Sequence, residues 1–154
     1  MWDQGGQQSA ASCRYAIRMR TLWLTPAAIL AVACGTTPVA SSDAIPVPAD
    51  RIYATDFTKA QPGNALLVVT RDKGLKAKAC TVRLHIDGIH VADLRAREQA
   101  RLFVEKGEHV VGVSAKGCFA GSDQASIIVT QDKPSLLRIS AGHGEGLKIE
   151  PSAF

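Results

Sequence analysis

The chain has 154 residues, of which 46% are hydrophobic, 21% charged and 5% aromatic. This composition excludes a disordered or collagen-like chain and fits one ordinary globular domain. The net charge of +4 comes from 18 basic and 14 acidic residues, and three of the arginines and one aspartate precede residue 34. The remaining 15 basic and 13 acidic residues are too nearly balanced to indicate a nucleic-acid-binding surface.

The first element in the chain is an apolar run at 22–33 that follows Arg18 and Arg20 and ends at Cys34. Its twelve residues fall short of the about 20 that a membrane-spanning helix needs. A short buried helix ending in a core thiol is the alternative, but basic residues, an apolar run and then small residues form the order of a secretory signal. We therefore expect segment 1–33 to be a removable leader, with translation starting at Met19 because the segment before it is polar.

The sequence AVAC-G at 31–35 resembles the processing box of bacterial lipoproteins. This resemblance implies cleavage before Cys34 and lipidation of its sulfur, usually with a further acyl chain such as palmitate on the new amino terminus. Two or three such chains hold a protein stably on a membrane without spanning it. Ala31 departs from the box, where Leu is more frequent, whereas Gly35 resembles lipoproteins sent to the outer membrane. The expected location is the periplasmic face of the outer membrane, in the bacterial cell envelope.

The segment 34–50 contains three prolines and shows neither a helical nor a strand period. It is therefore predicted to be a flexible, partly extended tether with a reach of about 20–24 Å.

Segment 51–154 has short apolar stretches broken by Gly, Asp and Lys, which is typical of an all-β domain. The clearest strand is 80–86, where apolar and polar residues alternate before an Asp87-Gly88 turn. We predict a small antiparallel β-sandwich, immunoglobulin-like in layout. Its strands are expected at 52–57, 65–71, 80–86, 90–94, 100–104, 109–115, 125–130, 136–140 and 147–150. Segment 92–100 is also compatible with one turn of helix.

The motifs ACTVRLHIDG, VADL and KGEHVVG resemble PEGA-type domains and a group of small proteobacterial lipoproteins of unknown activity. The matching positions are Asp87, Gly88, Gly107 and His109. The resemblance implies a PEGA-like sandwich without a catalytic motif. Some of these lipoproteins are labelled 3-isopropylmalate dehydratase, an activity that requires an iron–sulfur cluster held by at least three cysteines. Two distant cysteines outside the lipidation site do not fit that activity.

Cys80 and Cys118 are the remaining cysteines after Cys34. Because an exported protein is oxidised, a structural disulfide between them is the first interpretation. It would close a loop of about 39 residues and contribute roughly 3–4 kcal/mol in the chain-entropy model. A redox pair is less well supported because neither cysteine lies in a C-x-x-C motif.

His85 and His90 flank the Asp87-Gly88 turn. A two-residue hairpin would place them opposite each other with their Cβ atoms about 5 Å apart, where a third ligand would complete a zinc or copper site. No such ligand is evident, so a solvated sheet face is the favoured interpretation. The run of lysines at 73–80 is open to two interpretations, contact with anionic lipid headgroups and, more often, protection of a loop or edge from aggregation, which we favour. The charges of Arg95, Arg97, Glu98 and Arg101 are read as solvated surface.

No catalytic motif or cofactor-binding motif is present in the sequence. The function predicted from these observations is that of a lipid-anchored binding or structural module of the cell envelope, without enzymatic activity, cofactor or nucleic-acid partner. A protein or cell-wall partner would dock on exposed sheet edges or on the loops around Cys118 and 142–146. Two alternatives are a periplasmic metal-binding protein using His85 and His90, and the anchor subunit of an envelope secretion or pilus assembly.

Overall fold

The computed structural model describes residues 36–74, 80–116, 121–142 and 146–153. By spatial proximity the chain divides into two units, Met1–Val32 and Ala33–Phe154, and the described residues belong to the second. They form two β-sheets that enclose one hydrophobic core, with short 3-10 turns as the helical elements in these ranges. The predicted all-β sandwich is confirmed.

The first sheet has five strands in the order β1-β5-β2-β8-β9 and the second has four in the order β4-β3-β6-β7. In chain order the strands are β1 (Ile45–Pro46), β2 (Asn64–Arg71), β3 (Thr81–Ile86), β4 (Ile89–Leu94), β5 (Glu98–Glu105), β6 (Gly107–Lys116), β7 (Ser122–Val129), β8 (Ser135–Gly142) and β9 (Gly146–Pro151). Two of the pairings, β1 with β5 and β2 with β8, are parallel. The sandwich is thus rich in antiparallel pairs but is mixed.

The core forms because apolar residues occupy alternate positions of the strands. In β3, Val82, Leu84 and Ile86 are fully buried while the residues between them are partly exposed. Leu67 and Leu102 face them from the first sheet as fully buried side chains. Eight of the nine predicted strands are confirmed, with ends displaced by three residues or fewer.

The predicted strand at 52–57 is wrong. Ile52 makes a single bridge to Ala92, and the chain then closes into a 3-10 turn at Thr55–Thr58, where the Thr58 hydroxyl donates to the Thr55 carbonyl at 2.6 Å. This turn lets Phe57 pack on the core. The open question at 92–100 is resolved as strand, turn and strand, because β4 ends at Leu94 and β5 begins at Glu98.

The prediction of a flexible tether is wrong for residues 36–51, which we call the strap, because they are bound to the domain. The strap runs along the domain and is held by backbone hydrogen bonds at both of its ends. Those that define its path are Thr37 N to Lys73 O (2.6 Å), Ile45 N to Arg97 O (2.8 Å) and Val47 N to Gln99 O (3.0 Å). Val47 is also part of the core. The folded part therefore includes the strap and does not begin at Arg51.

Candidate functional site

The β3-β4 hairpin brings two of the predicted site residues together. Asp87 and Gly88 both have positive φ angles, 50° and 81°, the backbone of a type I′ two-residue turn. Ile86 then pairs with Ile89 and His85 pairs with His90, as predicted. The two imidazole rings lie on the outer face of the second sheet, with their centroids 5.2 Å apart.

The surroundings of His90 determine what this histidine pair can bind. Its Nε2 lies 2.9 Å from Asp93 Oδ1, and the Tyr53 hydroxyl donates to Asp93 Oδ2 at 3.1 Å. Tyr53 also places its ring against His90, with centroids 4.6 Å apart. One nitrogen of His90 is thereby engaged. Among the described residues, no group of three His, Cys, Asp or Glu side chains is arranged to hold a metal ion.

A shallow trough continues the outer face from His85 across β6 to β7. His85, Gly112 and Gln124 are in register on three neighbouring strands. Gly112 contributes no side chain, so the surface dips between its neighbours to form an open trough of about 390 Å³ that Ser114 and Ser122 also line. A Cβ at Gly112 would lie 3.8 Å from that of His85, so any larger side chain would fill the floor.

Arg83 lies in the next row of the same face, paired with Asp93 on β4 and with Ser114 on β6. Its Nε is buried and has no hydrogen-bond partner among the described residues. Burial, followed by the nearby His90 and Arg83, lowers the pKa of His85. The trough thus combines an imidazole that is neutral at neutral pH, serine hydroxyls and an amide, which is a surface suited to hydrogen bonding a polar partner.

Exposed apolar side chains lie beside the trough. Val110 on β6 is 40% exposed, and Ile128 on the sheet-edge strand β7 is 75% exposed. Large exposed aliphatic side chains beside a polar depression are typical of interaction surfaces. The sequence did not indicate these exposed side chains, because apolar residues follow one another at 110–111 and 127–129 without alternation.

The charges at Arg95, Arg97 and Glu98 were all read as solvated surface, and this interpretation is wrong for Glu98. Glu98 is 7% exposed and accepts two hydrogen bonds from Arg51, at 2.5 and 2.7 Å, and one from the Arg95 amide. Burial raises the pKa of Glu98, but these hydrogen bonds outweigh it and hold the pKa below its ordinary value. The pair is non-local, so no sequence spacing indicated it.

A second set of buried polar residues was also missed. Arg71 is 3% exposed and donates to the backbone carbonyls of Cys80 and Leu94, both at 2.7 Å. Burial lowers its pKa to about 10. Asp72 is 1% exposed and accepts hydrogen bonds from Arg138 and from the Val39 amide of the strap. These groups bind one another and the backbone, so their role is structural.

Two predicted site residues, Cys34 and Cys118, fall outside the described residues. Cys80 directly precedes β3, whose first residue Thr81 pairs with Lys116 at the end of β6. Cys118 follows Lys116 by two positions in the sequence. The disulfide between Cys80 and Cys118 stays a prediction.

A comparison of the chain with protein-family models, with curated proteins and with solved structures gave no significant match. Across the described part of the chain, no helix has both the length and the apolar character needed to cross a membrane.

Proposed function

We propose that this protein is a lipid-anchored binding module of the bacterial cell envelope, and that it holds a protein or cell-wall partner on the outer face of its second sheet. The observation that carries the binding role is the trough between His85, Gly112 and Gln124. The anchor is inferred from the signal-like segment that ends at Cys34, and catalysis is not part of the proposal.

The composition of the trough supports recognition through hydrogen bonds with an apolar margin. Ser114, Ser122 and Gln124 line the trough together with Val110, and Ile128 provides exposed aliphatic surface further along β7. Interfaces commonly combine such polar contacts with a few apolar anchors.

Site-specific photocross-linking in the native envelope tests the trough. A photoreactive residue placed at Gln124 should give a discrete adduct, and the Gly112→Val change should abolish it by filling the floor. The same probe at Arg101, an exposed residue on β5 of the other sheet, is the control and should give none. Equal labelling from both positions, or no adduct from Gln124, would overturn this binding surface.

The anchor is tested separately by the intact mass of the protein extracted from membranes of its native host. The expected mass is that of residues 34–154 plus acyl chains. An unlipidated mass that retains 22–33 would refute both the anchor and the envelope location, whatever the cross-linking shows.

The second candidate function is metal binding by His85 and His90, which the 5.2 Å separation of their rings favours. Calorimetric titration of the protein with zinc or copper, with and without His85→Ala, separates the two functions. Binding at micromolar metal that His85→Ala removes would support the metal site. If the protein binds no metal in this range, the metal function is excluded and the binding module remains.

A further inference from the structure

The strap enters the domain at one defined end of the sandwich. Thr37 is hydrogen-bonded in both directions to Lys73, just after β2 ends. The turn between β4 and β5 lies beside it, because the Arg97 amide donates to the Arg71 carbonyl. We call the end that contains Thr37, Lys73 and the turn 95–97 the anchor end. The opposite, far end contains the turns at 87–88, 105–107 and 130–134.

The two ends differ in charge. Lys73, Arg95 and Arg97 are exposed at the anchor end, against two exposed carboxylates among the described residues there, Asp43 and Asp50. Asp72 and Glu98 also lie there but are buried and neutralised by arginines. At the far end the exposed carboxylates outnumber the lysines. Apart from Asp87, which pairs with His109, the carboxylates are Glu105, Glu108 and Asp132, and the lysines are Lys106 and Lys133.

The chain leaves little freedom between the domain and residue 34. Thr37 is fixed to Lys73, and Cys34 precedes it by three positions. Three residues span at most about 11 Å even when fully extended. Any group attached to Cys34 is therefore confined close to the anchor end, whereas a flexible tether of 16 residues would have let the domain turn freely.

We infer that the anchor end is a second binding surface that lies against anionic lipid headgroups and orients the sandwich on the membrane. This inference rests on the lipid anchor of the proposed function and adds a surface to it. Each basic residue near an anionic membrane contributes about 1 kcal/mol, a factor of about five in the ratio of contacting to non-contacting molecules. The contact turns the far end away from the membrane and leaves the trough exposed on the side of the domain.

The orientation can be measured with single tryptophans. Both natural tryptophans, Trp2 and Trp23, lie in the predicted leader, so the processed protein has none. Ala96→Trp places a probe at the anchor end, and Gln131→Trp places one at the far end. Each lipidated protein, its mass verified, is incorporated into vesicles that contain brominated lipids, with about one anionic lipid in three or with none.

The expected result is strong quenching of the Ala96→Trp probe and weak quenching of the Gln131→Trp probe in anionic vesicles. The double change Lys73→Gln with Arg95→Gln should lower the ratio of contacting to non-contacting molecules about 25-fold, measured from the decrease in quenching of the Ala96→Trp probe. The matched control, Lys106→Gln with Lys133→Gln, removes the same charge from the far end and should leave quenching unchanged.

Equal quenching of the two probes in a lipidated protein would overturn the orientation while leaving the anchor intact. Quenching that is the same in neutral vesicles would overturn the role of the basic residues. A purified protein without acyl chains would instead refute the anchor itself, so the two failures are distinguishable.

Discussion

At the scale of single residues, His109 acts as a charged bridge between two turns. Its Nδ1 lies 2.7 Å from Asp87 Oδ2, and its Nε2 lies 2.8 Å from the Glu105 carbonyl. Both partners are acceptors, so both contacts are hydrogen bonds only when the imidazole carries two protons. Burial lowers the pKa of His109, but the hydrogen bonds to Asp87 and Glu105 outweigh it and raise the pKa above its ordinary value.

This raised pKa predicts that the fold loses stability as pH rises. The stabilisation is fully present below the unfolded pKa of about 6.5 and is lost as the pH passes through the folded pKa of His109. We expect the free energy of unfolding to fall by about 1 kcal/mol over that range, since Asp87 is partly exposed. Denaturant unfolding at a series of pH values measures the change.

His109→Gln is the control because it retains only neutral hydrogen bonding. His85 has a lowered pKa and gives a pH dependence of the opposite sign, so the difference between the two proteins isolates His109. Parallel pH profiles for the natural protein and His109→Gln would contradict the bridge.

Two glycines of the second sheet serve different physical purposes. Gly88 is needed for its backbone: its φ is 81°, and a Cβ there would meet open space. Gly112 is needed for its missing side chain, which leaves the trough open. Gly88→Ala should destabilise the fold by about 1–2 kcal/mol through its left-handed backbone. Gly112→Ala should change stability by less than about 0.5 kcal/mol. Thermal unfolding of both variants tests this difference, and equal losses would refute it.

At the scale of elements, the strap depends on the ion pair between Arg51 and Glu98. Arg51→Met leaves Glu98 buried without its counter-ion, which should cost about 3 kcal/mol of unfolding free energy. Adding Glu98→Leu should recover part of this loss, because both charges are then gone. Arg101→Met, on the exposed face of β5, is the matched control with little expected effect. Chemical denaturation measures all three, and an Arg51→Met loss no larger than the control's would show that the strap does not need the pair.

The strands and the strap show what local sequence can and cannot predict. In β3 each alternate residue is buried, so the period of two was already visible in the sequence. The strap docks through its backbone, with Val47 as its buried apolar residue, and hydrogen bonds of this kind leave no period. Prolines at 46 and 48 do not prevent the parallel pairing of β1 because the strap forms the sheet edge.

The candidate site was predictable where it depends on one hairpin and not where it depends on the whole sandwich. The Asp87-Gly88 turn fixed the pairing of His85 with His90. The trough also needs β3, β6 and β7 in register, so that His85 and Gln124, about 40 positions apart in the sequence, lie on one surface. This register follows from tertiary pairing and not from local sequence. The same holds for the basic anchor end, where the β2-β5 pairing brings the segments that carry Lys73 and Arg97 to one end of the sandwich.

At the scale of the whole molecule, the predicted disulfide between Cys80 and Cys118 would join the start of β3 to the chain that leaves β6. The register favours it, since Thr81 pairs with Lys116. Reduction should lower the unfolding free energy by about 3–4 kcal/mol, because the unfolded chain regains the freedom of a 39-residue loop. The double variant Cys80→Ala with Cys118→Ala should unfold at the lower value with or without reductant. Two alkylatable thiols in the oxidised, folded protein would refute the disulfide, and reductant would then leave its unfolding unchanged.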